Sequence, residues 1–216
     1  MLRKNHALIA GIALLLMSIM APIAIFGILG GLIDYENARQ TAQNIIDNEE
    51  SYRLAITFLF FVATSDIIVG WSLYYFFKED SPTLSGLACI FRISYGVLFL
   101  VALSPLLQIL NLLEQASWAS IVDQVLLKLQ AFQSFWDLTL IIFSFHLLLI
   151  GIILINIKAM KRLLGILVVI AGLGYLIDGL GQIISSNYHI EISVYTFLGE
   201  ILLMIWLLIQ SFKKSN

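Results

Sequence analysis

Six apolar stretches, each long enough to cross a lipid bilayer, dominate this 216-residue chain. They run roughly over 7–32, 54–77, 84–112, 131–155, 163–184 and 192–212. A helix rises about 1.5 Å per residue, so about 20 residues cover the ~30 Å hydrocarbon layer. Lipid offers backbone N–H and C=O groups no partners, so a crossing segment must satisfy its own. The alternating pattern of a barrel strand is absent. The sequence therefore predicts an all-α polytopic membrane protein, with six transmembrane helices in one bundle and a single domain over 1–216. Composition agrees, at 60% hydrophobic and 12% charged, against about a quarter charged in soluble domains. A net charge of −2 leaves no basic surface for nucleic acid, and the expected partner is the lipid bilayer. One cysteine, Cys89, excludes an intrachain disulfide.

Lysine and arginine set the expected orientation. With the N-terminus inside, the inner sites hold eight basic residues: Arg3, Lys4, Lys78, Lys158, Lys161, Arg162, Lys213 and Lys214. The outer sites hold three, Arg39, Arg53 and Lys128, and Arg92 lies within a span. The positive-inside rule then puts both termini in the cytoplasm, in a multi-pass membrane protein. The first apolar run continues to Leu32 without a small-residue cleavage site, so it reads as a retained span. In the first outer loop, Ala38, Ala42, Ile45 and Ile46 predict a short surface helix. In the second, Trp118, Ile121, Val122, Val125, Leu126 and Leu129 predict a helix lying in the membrane interface. Pro22 and Pro105 are expected to kink spans one and three.

Four stretches carry a family resemblance: "NEESYRLAI", "FRISYG", "FHLLLIGIILI" and "LLGILVVIAGLGYLIDGL". With them the chain resembles the bacterial domain-of-unknown-function 4386 family from "HALIAGIALLL" to the last span. The resemblance implies a six-helix membrane protein and no particular activity.

Charge inside the membrane is the chemical feature. An ionised side chain at the bilayer centre costs from about 2.5 to well over 10 kcal/mol, and five stand within the spans. They are Asp66, Arg92, His146, Asp178 and Glu200, with Asp137 near a span end. Counting helical rise, Asp66, Arg92 and His146 share a layer near mid-depth. An antiparallel hairpin of spans two and three would pair Asp66 with Arg92. Tyr95 shares the face of Arg92, and Trp136, Phe143 and His146 share one face of span four. Asp178 sits among glycines 172, 174, 179 and 181 and is expected to face the interior near Glu200 and His146. Together these residues predict a site for a small ligand, proton or cation, as in a transporter or sensor.

An intramembrane lipid hydrolase and a structural subunit are the alternatives. For metal chemistry, His146, Asp178 and Glu200 offer one nitrogen and two carboxylates, but no paired-histidine spacing supports a metal. Ser65, Ser94 and Ser144 are available to a Ser–His–Asp arrangement only in the sense that serines are common in helices. No catalytic residue is assigned. No nucleotide or phosphate-loop motif is present, so no cofactor is expected.

Overall fold

The computed structural model describes residues 2–115, 117–157, 159–185 and 187–213. Lys158 and Lys214, two of the inner basic residues, lie outside the described residues. Among those described, the chain forms helices and no strand. Six helical segments are long and apolar enough to cross a membrane: Leu2–Leu32, Glu49–Phe77, Pro82–Glu114, Trp118–Ile157, Lys161–Ile184 and Ser193–Phe212.

The first span is α1 (Leu2–Pro22), a π-helical turn at Ile23–Leu29, and α2 (Gly30–Leu32). Pro22 has no N–H to give the preceding turn, and the helix widens immediately after it. A surface helix, α3 (Ala38–Asp47), follows, where Asn37 accepts the N–H of Gln40 at 3.0 Å as its cap. Span two is α4 (Glu49–Phe77). Span three is α5 (Pro82–Ala102), a turn at Leu103, and α6 (Ser104–Gln115). Pro105 cannot donate to Val101, so the helix is interrupted there, and Leu103 donates to both Phe99 and Leu100. Pro82 opens α5 as expected, but the Ser81 side chain makes no capping bond.

Span four corrects one expectation. Residues 118–129 do not form a separate interfacial helix. They are the first turns of α7 (Trp118–Ile157), unbroken for 40 residues and therefore about 60 Å long. Neither glycine nor proline interrupts it before Gly151. Ile121, Val125, Leu129 and Phe132 recur on one face and are buried, against α3 and α6. Ala42 and Ile45 of α3 and Leu106 and Ile109 of α6 are fully buried in the same end. Where water reaches this end, covering each large side chain contributes about 1.5–3 kcal/mol.

Span five is α8 (Ala159–Ile184), and a short α9 (Ser193–Thr196) leads into α10 (Leu198–Phe212). The spans close into a ring in the order α1, α4, α5, α7, α8, α10 and back to α1. Between helices in lipid there is little hydrophobic drive, so close packing of small residues supplies the cohesion. The α7–α8 hairpin shows how close. A Cβ on Gly151 would lie 2.8 Å from the Gly165 carbonyl, and one on Gly165 would lie 2.7 Å from the Gly151 carbonyl. At one end of the bundle, Arg3 pairs with Asp80 and Lys4 donates to the Lys213 carbonyl.

Candidate intramembrane polar site

The ring places polar side chains at its middle, and α4 and α5 make the first contact. Gly96 of α5 lets the two backbones approach: a Cβ there would stand 2.8 Å from the Ala63 carbonyl and 3.1 Å from Asp66. The expected pair of Asp66 and Arg92 is present. Arg92 Nε donates to Asp66 Oδ1 at 3.0 Å, and Nη2 reaches the same oxygen at 2.7 Å. Both residues are only 1% exposed. At such burial each charge needs the other, since either alone would be left without water.

His146 on α7 joins them. Its Nδ1 lies 2.8 Å from the Ala88 carbonyl, which can only accept, so Nδ1 carries the proton. Its Nε2 therefore presents a lone pair to Arg92 Nη1 at 3.2 Å. Histidine enters this junction as a neutral acceptor for the guanidinium. Phe143, one turn earlier on α7, lies under Arg92 at 5.2 Å. The same ring meets Tyr95 at 4.9 Å and Tyr175 at 5.4 Å, so it is the hub around which α5, α7 and α8 meet.

The remaining polar groups stand around this hub. The Tyr175 phenol faces the Glu200 carboxyl, and Glu200 senses the charges of Arg92 and Asp66. Glu200 lies in the first turn of α10, on the face that carries buried Leu203, Met204 and Leu207. The Tyr95 hydroxyl lies near Trp136 and within electrostatic reach of Asp66. The Trp136 indole N–H approaches the Tyr95 hydroxyl without the geometry of a hydrogen bond. Two buried polar atoms of the group are thus unpartnered: Asp66 Oδ2, an acceptor, and Trp136 Nε1, a donor. Asp66, Arg92 and His146 are sealed, while Trp136, Tyr175 and Glu200 keep some accessible surface.

Asp178 is buried, as the glycine-rich face predicted, but its hydrogen bonds go to neither Glu200 nor His146. Its Oδ1 accepts from the Tyr188 hydroxyl at 2.7 Å and the Ile192 N–H at 2.9 Å, and its Oδ2 accepts from the Ser193 N–H at 2.7 Å. The carboxylate fastens the connection between α8 and α10 and is occupied by three donors there. The neighbouring acid is Asp137, itself hydrogen-bonded by Gln133 at 2.9 Å. The glycines of α8 serve packing: a Cβ on Gly174 would overlap Thr196, and one on Gly179 would overlap Ile141. Trp136 and Tyr175 were not among the sequence-derived site residues. Trp136 shares a helical face with Phe143 and His146, which was the available signal.

The fold is a helical membrane bundle with a charged interior, and comparison with known proteins gives it a family. The chain belongs to the family described as Domain of unknown function (DUF4386), whose profile matches residues 9–210. It is 34% identical over 162 residues to an "Uncharacterized protein" of the archaeon Archaeoglobus fulgidus (strain ATCC 49558 / DSM 4304 / JCM 9628 / NBRC 100126 / VC-16), covering 75% of this chain and 86% of the relative. No solved structure matches the chain.

Proposed function

We propose that this multi-pass protein, with both termini on the cytoplasmic side of a bacterial cytoplasmic membrane, binds a small cation or a proton inside its helix ring, as a transporter or sensor does. Asp66, Arg92, Tyr95, His146 and Glu200 form the site, with Trp136 and Tyr175. The observation that carries the reading is a charge imbalance: two carboxylates, Asp66 and Glu200, lie within electrostatic reach of one guanidinium, whose hydrogen bonds go to Asp66 and His146, and Asp66 Oδ2 has no donor. A group costly to bury is retained at such depth when it has a partner, and the missing partner here is positive. Asp178 plays no part in this site, because its oxygens are occupied.

A structural subunit is the second reading, and the close Asp66–Arg92–His146 junction favours it. It leaves the second carboxylate without a purpose. The hydrolase reading gains no support. The Ser144 hydroxyl donates to its own helix at Ile141, and His146 Nε2 is held by Arg92.

The test is infrared difference spectroscopy on the purified protein in lipid discs, with pH stepped and then sodium or potassium exchanged at fixed pH. A carboxyl band should respond in the wild type and vanish in Glu200→Gln. Bands that ignore both treatments would leave only the structural reading.

A further inference from the structure

The surroundings of the unpartnered atoms narrow the kind of cation. Among the described residues no group of three or more His, Cys, Asp or Glu side chains could hold a metal ion. Hard metal cations want about six oxygen ligands, and this site offers mainly ring faces. Phe143 meets both Tyr95 and Tyr175, Tyr95 and Trp136 both stack on Phe99, Tyr175 faces Glu200, and the site's own cation, Arg92, lies against the Phe143 ring. Aromatic faces attract cations through the negative centre of the ring, tryptophan most strongly. Asp66 Oδ2 needs a donor, which a primary ammonium carries and a quaternary one does not. Trp136 Nε1 needs an acceptor, which a hydroxyl supplies.

Resting on the cation-binding reading above, we infer that the ligand is a small primary ammonium with a hydroxyl: its N–H groups donate to Asp66 Oδ2, Glu200 balances its charge, and its hydroxyl accepts from Trp136. Free amino alcohols carry both groups, and the headgroup of phosphatidylethanolamine carries the same primary ammonium with a phosphoester oxygen as the acceptor in place of the hydroxyl.

The probes are ethanolamine, propylamine, tetramethylammonium and sodium, added to the full chain in phosphatidylcholine discs, with thermal unfolding as readout. Ethanolamine at saturation should raise the midpoint by at least about 3 °C. Propylamine should bind several-fold more weakly, and tetramethylammonium and sodium should do nothing at matched ionic strength. Trp136→Phe should erase the difference between ethanolamine and propylamine, and Glu200→Gln should weaken both about tenfold. Neither variant breaks the Asp66–Arg92 pair, so both are expected to fold. Discs containing phosphatidylethanolamine separate the sources. If they stabilise the protein with no amine added, the ligand is the headgroup; if they do not, it is the free amine. Stabilisation by sodium or tetramethylammonium equal to that by ethanolamine would overturn the amino-alcohol assignment and leave the cation reading intact. A response to pH alone would do the same. Silence toward every probe and toward pH would remove both.

Discussion

Asp66 is held on one oxygen and bare on the other, and its two oxygens make different predictions. The bonded one, Oδ1, takes two donors from Arg92. Removing one member of a buried pair strands the other charge, at about 3–5 kcal/mol, while removing both costs much less. Asp66→Asn and Arg92→Gln should therefore each lower the unfolding midpoint severely, and the double variant should recover much of the loss. Additive losses would show that the two residues do not act together. Asp178 belongs to a different part of the molecule. Asp178→Ala removes three acceptor contacts and should cost about 1–2 kcal/mol in thermal unfolding without changing cation binding. Its neighbour supplies the pH signature. Burial and then the adjacent Asp178 carboxylate push the Tyr188 phenol up to about 12. A phenol whose folded-state value is raised stabilises the fold fully below about pH 10 and loses that contribution as pH climbs toward 12. Ultraviolet titration should show a tyrosine step near 12, absent in Tyr188→Phe and shifted toward 10 in Asp178→Asn.

At the scale of elements, glycine contacts decide how near the helices come. Gly151→Val would press a side chain into Val169 and the Gly165 carbonyl, both closer than 3.0 Å to the first added carbon. It should cost at least about 1–3 kcal/mol, by thermal unfolding in detergent. Gly31→Ala meets nothing within 4 Å and should change little. Leu129→Ala, at the far end of α7, should cost about 2–5 kcal/mol, because its side chain is buried with α3 and α6 and not laid against lipid. This element also marks where the sequence was mute. Apolar residues at helical spacing describe a helix lying on a membrane and a helix packed on a neighbour equally well, and only the tertiary fold separates them. The spans themselves were legible because length and hydropathy are local properties. The Asp66–Arg92 pair was legible because a tight hairpin fixes relative depth. Asp178 was not, since two of its three donors are backbone N–H groups, which every residue but proline carries. Trp136 and Tyr175 escaped because an aromatic side chain on an interior face reads first as packing.

Over the whole molecule, six candidate spans bring the first and last of them together at one end, where Arg3 meets Asp80 and Lys4 meets Lys213. In the orientation proposed above from the basic asymmetry, that end faces the cytoplasm. In a Cys89→Ser background, a cysteine at Asn37 should react with an impermeant reagent in intact cells and one at Asn5 should not. Reaction at both sites would defeat the assigned topology. The closed ring also explains why the polar residues gather. Each of α4, α5, α7, α8 and α10 turns at least one polar side chain inward, and α1 closes the circuit with small residues such as Ala7, Ala10 and Gly11. On the reading proposed above, this interior is built to hold a positive guest and not only to hold itself together. High-resolution density for the protein in phosphatidylcholine discs with ethanolamine tests it most directly. The expected result is an organic ligand within hydrogen-bond reach of Asp66 Oδ2 and Trp136 Nε1, beside Glu200, with clearly weaker density in Glu200→Gln at an ethanolamine concentration near half-saturation. An interior in which protein side chains alone satisfy Asp66 Oδ2 and Trp136 Nε1, with Glu200 turned to the lipid or the aqueous interface, would contradict it.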